Sequence, residues 1–356
     1  MKIGLMTVYY PNYGSYFQAI ALKNHIENKG HSCELINATI RGKYIFKFCL
    51  GAMGESILPL WICQHIAKKN AAFRTYLSLA PDIKKLKISK PFKSLKKLSK
   101  EYDCILVGSD ELWSASLWEM KYIPAYFGIG LRCPHFSYAT SGASLNFTVK
   151  LPWHKIVKGL KSFEALSGRD EKTCNFIQAV TNRTCTKCLD PVLLNPYFIK
   201  RSNTAKNYLL VYGVEFSKSD INKIKTYAAR HRHHLVIRGV SWKHEWFDEF
   251  YEITSPNDFL KQFSESMFCA VSTFHGAVFS ILYHKPFAVF LTRQRAPKIF
   301  DLLKTLNLTF RIANRVSELG KLPEIDFSIV EERLCKLREE SNNYLTNALE
   351  IMEKRQ

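Results

Sequence analysis

"KIGLMTVYYPNYGSYFQAIALKNHIENKGHSCELIN", residues 2–37, is the stretch whose reading decides the fold. Lys2 to Val8 form a short alternating apolar run, which predicts a strand. Pro11, Asn12 and Gly14 predict a turn, Phe17 to Asn28 a helix that Gly30 ends, and "SCELIN" a second strand. Together these make a β-α-β unit. Such a unit implies parallel strands, and it places its first loop at the C-terminal end of the strand, where open α/β sheets bind ligands.

The same logic recurs downstream. In "DCILVGSDELW" (103–113) a buried strand, Cys104 to Val107, runs into the polar turn Gly108-Ser109-Asp110. "HFSYATSGAS" (135–144) predicts a strand over 135–139 that stops at Ser141 and Gly142. "EALSGRDEKTCNFI" (164–177) sets Arg169 just before a helix. "CLDPVLLNPYF" (188–198) then closes a first domain, with Asp190-Pro191 and Pro196 breaking regular structure. A second α/β run begins at Tyr208. It predicts "YLLVYGV" as a strand, a helix over about 219–230, "HLVIRGV" as a strand and a helix over 258–266 capped by Ser255. A strand Phe268 to Val271, a helix over 276–283 and the strand "FAVFL" follow, and 328–353 predicts a long charged helix. The economical architecture is two α/β domains with a cleft between them: 1–195 with a Lys-rich insertion around 40–100, then 205–327, then a C-terminal helix over 328–356.

Composition narrows the function classes. A chain of 356 residues exceeds one ordinary domain, and 47% hydrophobic with 13% aromatic residues supports a large core. The N-terminal run does not read as an export signal. Lys47, Glu55, Pro59 and Gln64 interrupt the most apolar region, 44–67, so no spanning helix is expected. The expectation is a soluble, cytoplasmic protein with its 10 cysteines reduced. Cys185 and Cys188 form one CxxC with Cys174 upstream, but no second pair or histidine pair completes a zinc site, so no metal is expected. The net charge of +20 favours anionic partners. Eight lysines fall within "KKLKISKPFKSLKKLSK" (84–100), where Lys93, Lys96, Lys97 and Lys100 share one helical face and Phe92, Leu95 and Leu98 another. That pattern fits either a peripheral helix on an anionic membrane or a solvated linker. Nucleic acid is not indicated, because aromatic interleaving and nucleic-acid motifs are missing.

"VSTFHGAVFSILYHKPF" (271–287) places His275 where a strand turns into a helix, beside Ser272 and Thr273. Helix N-terminal amides there favour anions and tune a titratable ring. The position fits a proton-transfer group as well as it fits a structural histidine. Arg169 suits bidentate binding of phosphate or carboxylate, or an ordinary salt bridge with Glu171. Asp110 reads as a base, a hydroxyl binder or a helix cap. Neither a nucleophile elbow nor a P-loop nor GxGxxG occurs.

"NYGSYFQAIAL", "GSDELW", "SYATSG", "SGRDE", "LDPVLL", "STFHGAVFSILYHKPF" and "KIFDLLKTLNL" stand in the order of the polysaccharide pyruvyl transferase family, which the chain resembles over about 1–310. The resemblance implies a GT-B-like fold, in which two Rossmann-like domains face a cleft and a C-terminal helix packs back on the first domain. It implies transfer of a pyruvyl group from phosphoenolpyruvate to a sugar hydroxyl pair, giving a cyclic ketal in a capsule or exopolysaccharide or its precursor, with no cofactor beyond that donor. By the same resemblance His275 and Arg169 are catalytic, while Asn12, Gly14, Ser109, Asp110, Ser141, Ser272 and Thr273 line the substrate pocket. The acceptor would be a sugar or a lipid-linked glycan, met in the cytoplasm or at the inner membrane face through 84–100. Glu111 departs from the family's glutamine, and Gly168 departs from its pattern before Arg169 in a way expected to loosen that loop. Two other activities fit the same cleft and charge: a GT-B glycosyltransferase using a nucleotide sugar, and a non-catalytic envelope-assembly protein that binds glycan or lipid.

Overall fold

The computed structural model describes residues 1–9, 12–36, 95–113, 124–142, 151–196, 205–213, 215–239, 255–292 and 296–355, with Leu79, Asp82, Lys85, Leu86, Ile88 and Ile199. Most of the predicted Lys-rich insertion therefore lies outside the described residues.

The first half builds one parallel sheet. Its strands are β1 (Lys2–Met6), β2 (Ser32–Leu35), β3 (Cys104–Asp110), β4 (His135–Thr140), β5 (Ser167–Gly168) and β6 (Thr186–Lys187), in the order β2-β1-β3-β4-β5-β6. Every pairing is parallel. Helices α1 (Tyr13–Asn28), α2 (Leu95–Leu98), α3 (Trp153–Lys161), α4 (Glu171–Thr181) and α5 (Pro191–Leu194) accompany it. The second half repeats the scheme with β7 (Tyr208–Gly213), β8 (His234–Gly239), β9 (Phe268–Val271) and β10 (Phe287–Val289), again all parallel, in the order β10-β9-β7-β8. Its helices are α6 (Lys218–Arg230), α7 (Pro256–Glu265), α8 (Phe274–Leu282) and α9 (Ala296–Thr305), and α10 (Phe327–Glu353) ends the chain.

In each sheet the chain runs first to one side and then to the other. The reversal falls between β1 and β3 in the first sheet and between β7 and β9 in the second. Ligands of doubly wound folds bind at such switch points, beyond the carboxyl ends of the strands. Asn12 and Asp110 flank the first reversal; Gly213 and Ser272 flank the second.

Several predicted boundaries move, each for a local reason. The α1 helix begins at Tyr13 instead of Phe17, because the Asn12 side chain accepts the Ser15 amide and caps it. Gly14 is thus helical, not part of a turn. The β3 strand runs through Gly108-Ser109-Asp110, since it stays paired with β4 to the Asp110–Thr140 register. The α8 helix begins at Phe274 behind a Thr273 cap, so His275 sits in its first turn. Asp190-Pro191 does not merely break structure: Asp190 caps α5, with Pro191 at its first position.

Two interior features fix how the halves meet. Tyr13 and Phe17 of α1 enter the core of the second half, with Tyr13 stacked on Phe259 at 4.5 Å and Phe17 edge-on to Phe279 at 5.5 Å. Helix α10 then spans both halves. Val330 and Leu334 pack in that shared core, whereas Leu345, Ala348, Leu349 and Met352 pack under β1–β4 of the first sheet, and the Tyr344 hydroxyl donates to Ser137 O at 2.8 Å. Leu345 is fully buried among Ile3, Leu5 and Tyr138. Leu345→Ala is expected to cost about 2–5 kcal/mol, read as a lower denaturant midpoint; an unchanged midpoint would mean that α10 merely rests on the sheet.

At the end of the Lys-rich stretch, Leu98 is buried beside Tyr102 and Ile105 while Lys96 and Lys97 stay exposed. Leu98 is therefore part of the core, not of an apolar face open to lipid.

Candidate active site

The C-terminal ends of the two sheets meet around one buried cation. Arg169 follows the short strand β5, its side chain is 2% exposed, and Asp170 behind it caps α4 through the Thr173 amide. Its Nη1 donates to Asp190 Oδ2 at 2.8 Å, and Nη2 lies 3.7 Å from Asp110 Oδ1. Its guanidinium stands over the Phe274 ring at 4.4 Å. The remaining donor, Nε, is buried and has no hydrogen-bond partner among the described residues. The predicted pair with Glu171 does not form; Glu171 lies instead 3.6 Å from Lys304.

His275 joins this cluster from the other half. Its Nε2 lies 3.4 Å from Asp190 Oδ2, inside ion-pair range but off the line of a hydrogen bond, so this buried nitrogen has no hydrogen-bond partner among the described residues. The opposite edge of the ring rests on Gly14. A Cβ at Gly14 would lie 2.2 Å from His275 Nδ1, so the approach demands glycine. Asp190 therefore touches both predicted catalytic residues. It was not recognised from sequence, where Asp-Pro read as a breaker; an aspartate capping a short helix next to a strand end was the available signal.

The two carboxylates are held ionised. Burial pushes Asp110 up, but Arg169, His275, Lys298 and the Ser15 hydroxyl together outweigh it and lower it below the usual carboxylate value. Burial likewise pushes Asp190 up, while His275, Arg169 and the Val192 amide draw it down to about 2. Arg169 loses by burial and gains more from Asp190 and Asp110, so it is raised. A carboxylate depressed on folding stabilises the protein above its unfolded value, and that contribution disappears as pH falls through the folded value. For Asp190 the drop from 3.8 to about 2 corresponds to about 2 kcal/mol. Between about pH 4 and pH 2 the wild-type protein should lose about that much more stability than Asp190→Asn. Parallel stability-against-pH curves for the two proteins would contradict the depressed carboxyl.

The other predicted residues divide into two groups. Asp110, with backbone φ of 81°, accepts the Ser15 hydroxyl at 2.7 Å and the Glu111 amide at 2.8 Å. A non-glycine residue in that region is strained, and such strain collects at functional sites. Asp110 and Gly14 thus reach the cluster directly. Asn12 and Thr273 cap α1 and α8, whose first turns hold Gly14 and His275. Ser109 is fully buried with its hydroxyl donating to Ala139 O at 2.9 Å, Ser141 donates to Asp170 Oδ2 at 2.6 Å, and Ser272 is fully buried against Gly213. The Ser109 and Ser141 hydroxyls are thus taken up in holding the loops. Gly168 does not loosen the Arg169 loop: a Cβ there would lie 2.9 Å from Cys174 Sγ, so glycine lets α4 pack closely. Glu111 pairs with Lys298 of α9 at 2.7 Å, and Lys187 pairs with Asp301 of α9 at 2.8 Å. Helix α9 is thereby tied by charge across the two halves.

The family model for polysaccharide pyruvyl transferase matches residues 12–293, most of the chain. The chain belongs to the polysaccharide pyruvyl transferase family. Its membership places Asn12, Asp110, Arg169, Asp190 and His275 all inside the matched region of this transferase family of polysaccharide biosynthesis. No curated protein matches the chain significantly. Among solved structures, the UDP-N-acetylglucosamine 2-epimerase of Rickettsia bellii superposes with a TM-score of 0.53 at 10% identity, covering 99% of this chain and 97% of that one. The UDP-GlcNAc 2-epimerase of Neisseria meningitidis gives 0.48 at 12% identity over 98% and 94% of the two chains. At such identities the likeness to the first shows the fold alone: this pyruvyl transferase family member is α/β with two Rossmann-like halves in the GT-B manner. No helix among the described residues is long and apolar enough to cross a membrane.

Proposed function

We propose that this family member transfers the pyruvyl group of phosphoenolpyruvate to two hydroxyls of a sugar acceptor, forming a cyclic ketal and releasing phosphate. The observation that carries this reading is the buried Arg169, whose Nε has no hydrogen-bond partner among the described residues while its other two nitrogens face Asp190 and Asp110. A buried donor without a partner costs free energy unless a ligand satisfies it. The edge that Nε shares with Nη2, whose 3.7 Å contact with Asp110 leaves one N–H over, matches a carboxylate or a phosphate in planar, two-point fashion.

The chemistry follows from that edge. His275 delivers a proton to the methylene carbon of the donor, which becomes a methyl group and leaves an oxocarbenium-like centre at the carbon bearing carboxylate and phosphate. One sugar hydroxyl attacks that carbon and returns a proton to His275, phosphate departs with the C–O bonding pair, and the second hydroxyl attacks the same carbon and closes the ring as its proton passes to the departing phosphate. Arg169 holds the anionic donor and stabilises the leaving phosphate. Positioned proton transfer by His275 contributes on the order of 10²- to 10⁴-fold. Asp110, ionised and joined to the Ser15 hydroxyl, is placed to accept a hydrogen bond from an acceptor hydroxyl. The scheme asks for no metal and no organic cofactor.

On the same reading the protein is a cytoplasmic enzyme whose acceptor is a sugar or a lipid-linked glycan. The exposed lysines at the end of 84–100 support electrostatic contact with an anionic inner membrane face, and loss of liposome binding on charge reversal there would bear it out. The reaction itself is tested by phosphate release from phosphoenolpyruvate with a panel of galactosyl, mannosyl and N-acetylhexosaminyl acceptors, beside His275→Ala. Acceptor-dependent release that vanishes in the variant supports pyruvyl transfer. Glycosyl transfer from a nucleotide-sugar panel, with none from phosphoenolpyruvate, would replace it.

A further inference from the structure

We infer that Asp190 is a positioning residue that fixes the tautomer of His275, with the ring proton on Nε2 and the lone pair on Nδ1; the catalytic consequence rests on the pyruvyl-transfer reading, the tautomer does not. Asp190 is fully buried, and three donors converge on its two oxygens. Oδ1 accepts the Val192 amide at 3.0 Å. Oδ2 accepts Arg169 Nη1 at 2.8 Å and lies 3.4 Å from His275 Nε2. A carboxylate can only accept, so the imidazole nitrogen that faces it must carry the proton. A small turn of the ring converts the 3.4 Å approach into a hydrogen bond and satisfies the buried Nε2.

The other nitrogen is then the working one. Nδ1 lies on the Gly14 side of the ring, packed so closely against that residue that only a missing side chain leaves the ring room. Nδ1 would pick up and deliver the proton, while Asp190 compensates the imidazolium that forms and keeps Arg169 from swinging toward it. The other charged groups near this ring are Arg169 itself, from the end of β5, and Asp110, from the end of β3, beside which Lys298 of α9 also acts. A carboxylate that orients an imidazole in this way sets which nitrogen reacts without itself touching substrate.

Asparagine at 190 reverses the logic. Its single oxygen can keep the Val192 cap, because asparagine caps helices as well as aspartate. Its amide then presents donors to Arg169 and His275, and Nε2 becomes an acceptor. Nitrogen-15 spectra of histidine-labelled protein without substrate read this directly, with His275 assigned by comparison with His275→Gln. The wild-type neutral ring is expected to show Nε2–H, and Asp190→Asn to show Nδ1–H. In the transfer assay, kcat of Asp190→Asn should fall on the order of 10²- to 10⁴-fold. A wild-type ring protonated on Nδ1, or an Asp190→Asn ring still protonated on Nε2, overturns the inference. The wild-type spectrum decides alone if the variant does not fold. Expected tautomers in a protein that releases no phosphate from phosphoenolpyruvate would leave the positioning role standing and remove only the pyruvyl reading.

Discussion

Arg169→Ala is expected to abolish phosphoenolpyruvate-dependent phosphate release and to lower folding stability by about 3–5 kcal/mol. Both effects come from one removal. Arg169 is the cation between two carboxylates, Asp190 at 2.8 Å and Asp110 at 3.7 Å, and Lys298 also acts on Asp110. Deleting it leaves two like charges close together, with Asp190 fully buried and Asp110 largely so, and the carboxyls must take up protons or the loops must part. The stability loss should therefore shrink as pH falls toward the range where the carboxyls protonate. Arg169→Lys separates the two roles. A lysine keeps the charge and recovers part of the stability, but it lacks the planar edge that grips a carboxylate or phosphate, so activity should stay low. Denaturant unfolding at pH 7 and pH 4 beside initial rates checks this. An active, stable Arg169→Ala protein would show that the guanidinium is incidental.

Gly14→Ala should reduce kcat by on the order of 10²-fold while leaving the fold intact. Gly14 lies in the first turn of α1, where alanine is favoured over glycine by up to about 1 kcal/mol. The three atoms nearest to a Cβ there all belong to His275: Nδ1 at 2.2 Å, Cγ at 2.5 Å and Cβ at 2.9 Å. The ring must withdraw, and Asp190 and Gly14 cannot both keep their contacts with it. A displacement of about 1 Å in a proton-transfer group is enough for a loss of that size. Melting within a few degrees of wild type together with a slow enzyme is the expected pair of results. Full activity would mean that His275 has room to spare.

Most strands of both sheets were legible because hydrophobic period and turn residues alternate around them, whereas α3, α5 and α9 were not predicted. Two parallel sheets followed from β-α-β units with short loops, and the chain reversal in each sheet is a consequence of that topology. Boundaries were less legible wherever a cap outweighed a turn signal. Asn12 starts a helix four residues before the apolar pattern does, and Gly14 looked like a turn residue although its role is to leave space for His275. The same limit explains the serines. Ser109 and Ser141 follow strand ends, where binding residues belong, yet their hydroxyls are taken by Ala139 O and Asp170. Nothing local distinguishes a loop-holding hydroxyl from a ligand-facing one. Asp190 was the costliest omission. Its importance comes from partners 21 residues away at Arg169 and in the other half at His275, and so depends on how the two halves dock. That docking rests on Tyr13 and Phe17 entering a core of Phe259 and Phe279, which no periodicity in either segment announces.

Pyruvyl transfer is decided by the fate of the donor carbon. Phosphoenolpyruvate labelled with carbon-13 at C2 is incubated with the purified protein and the best acceptor of the panel, and the sugar product is examined by carbon NMR. Label is expected in a quaternary carbon bonded to two sugar oxygens, a methyl and a carboxylate, with no such signal from His275→Ala. Label left in free pyruvate, or an acceptor that gains a sugar from a nucleotide donor and no label, would contradict it.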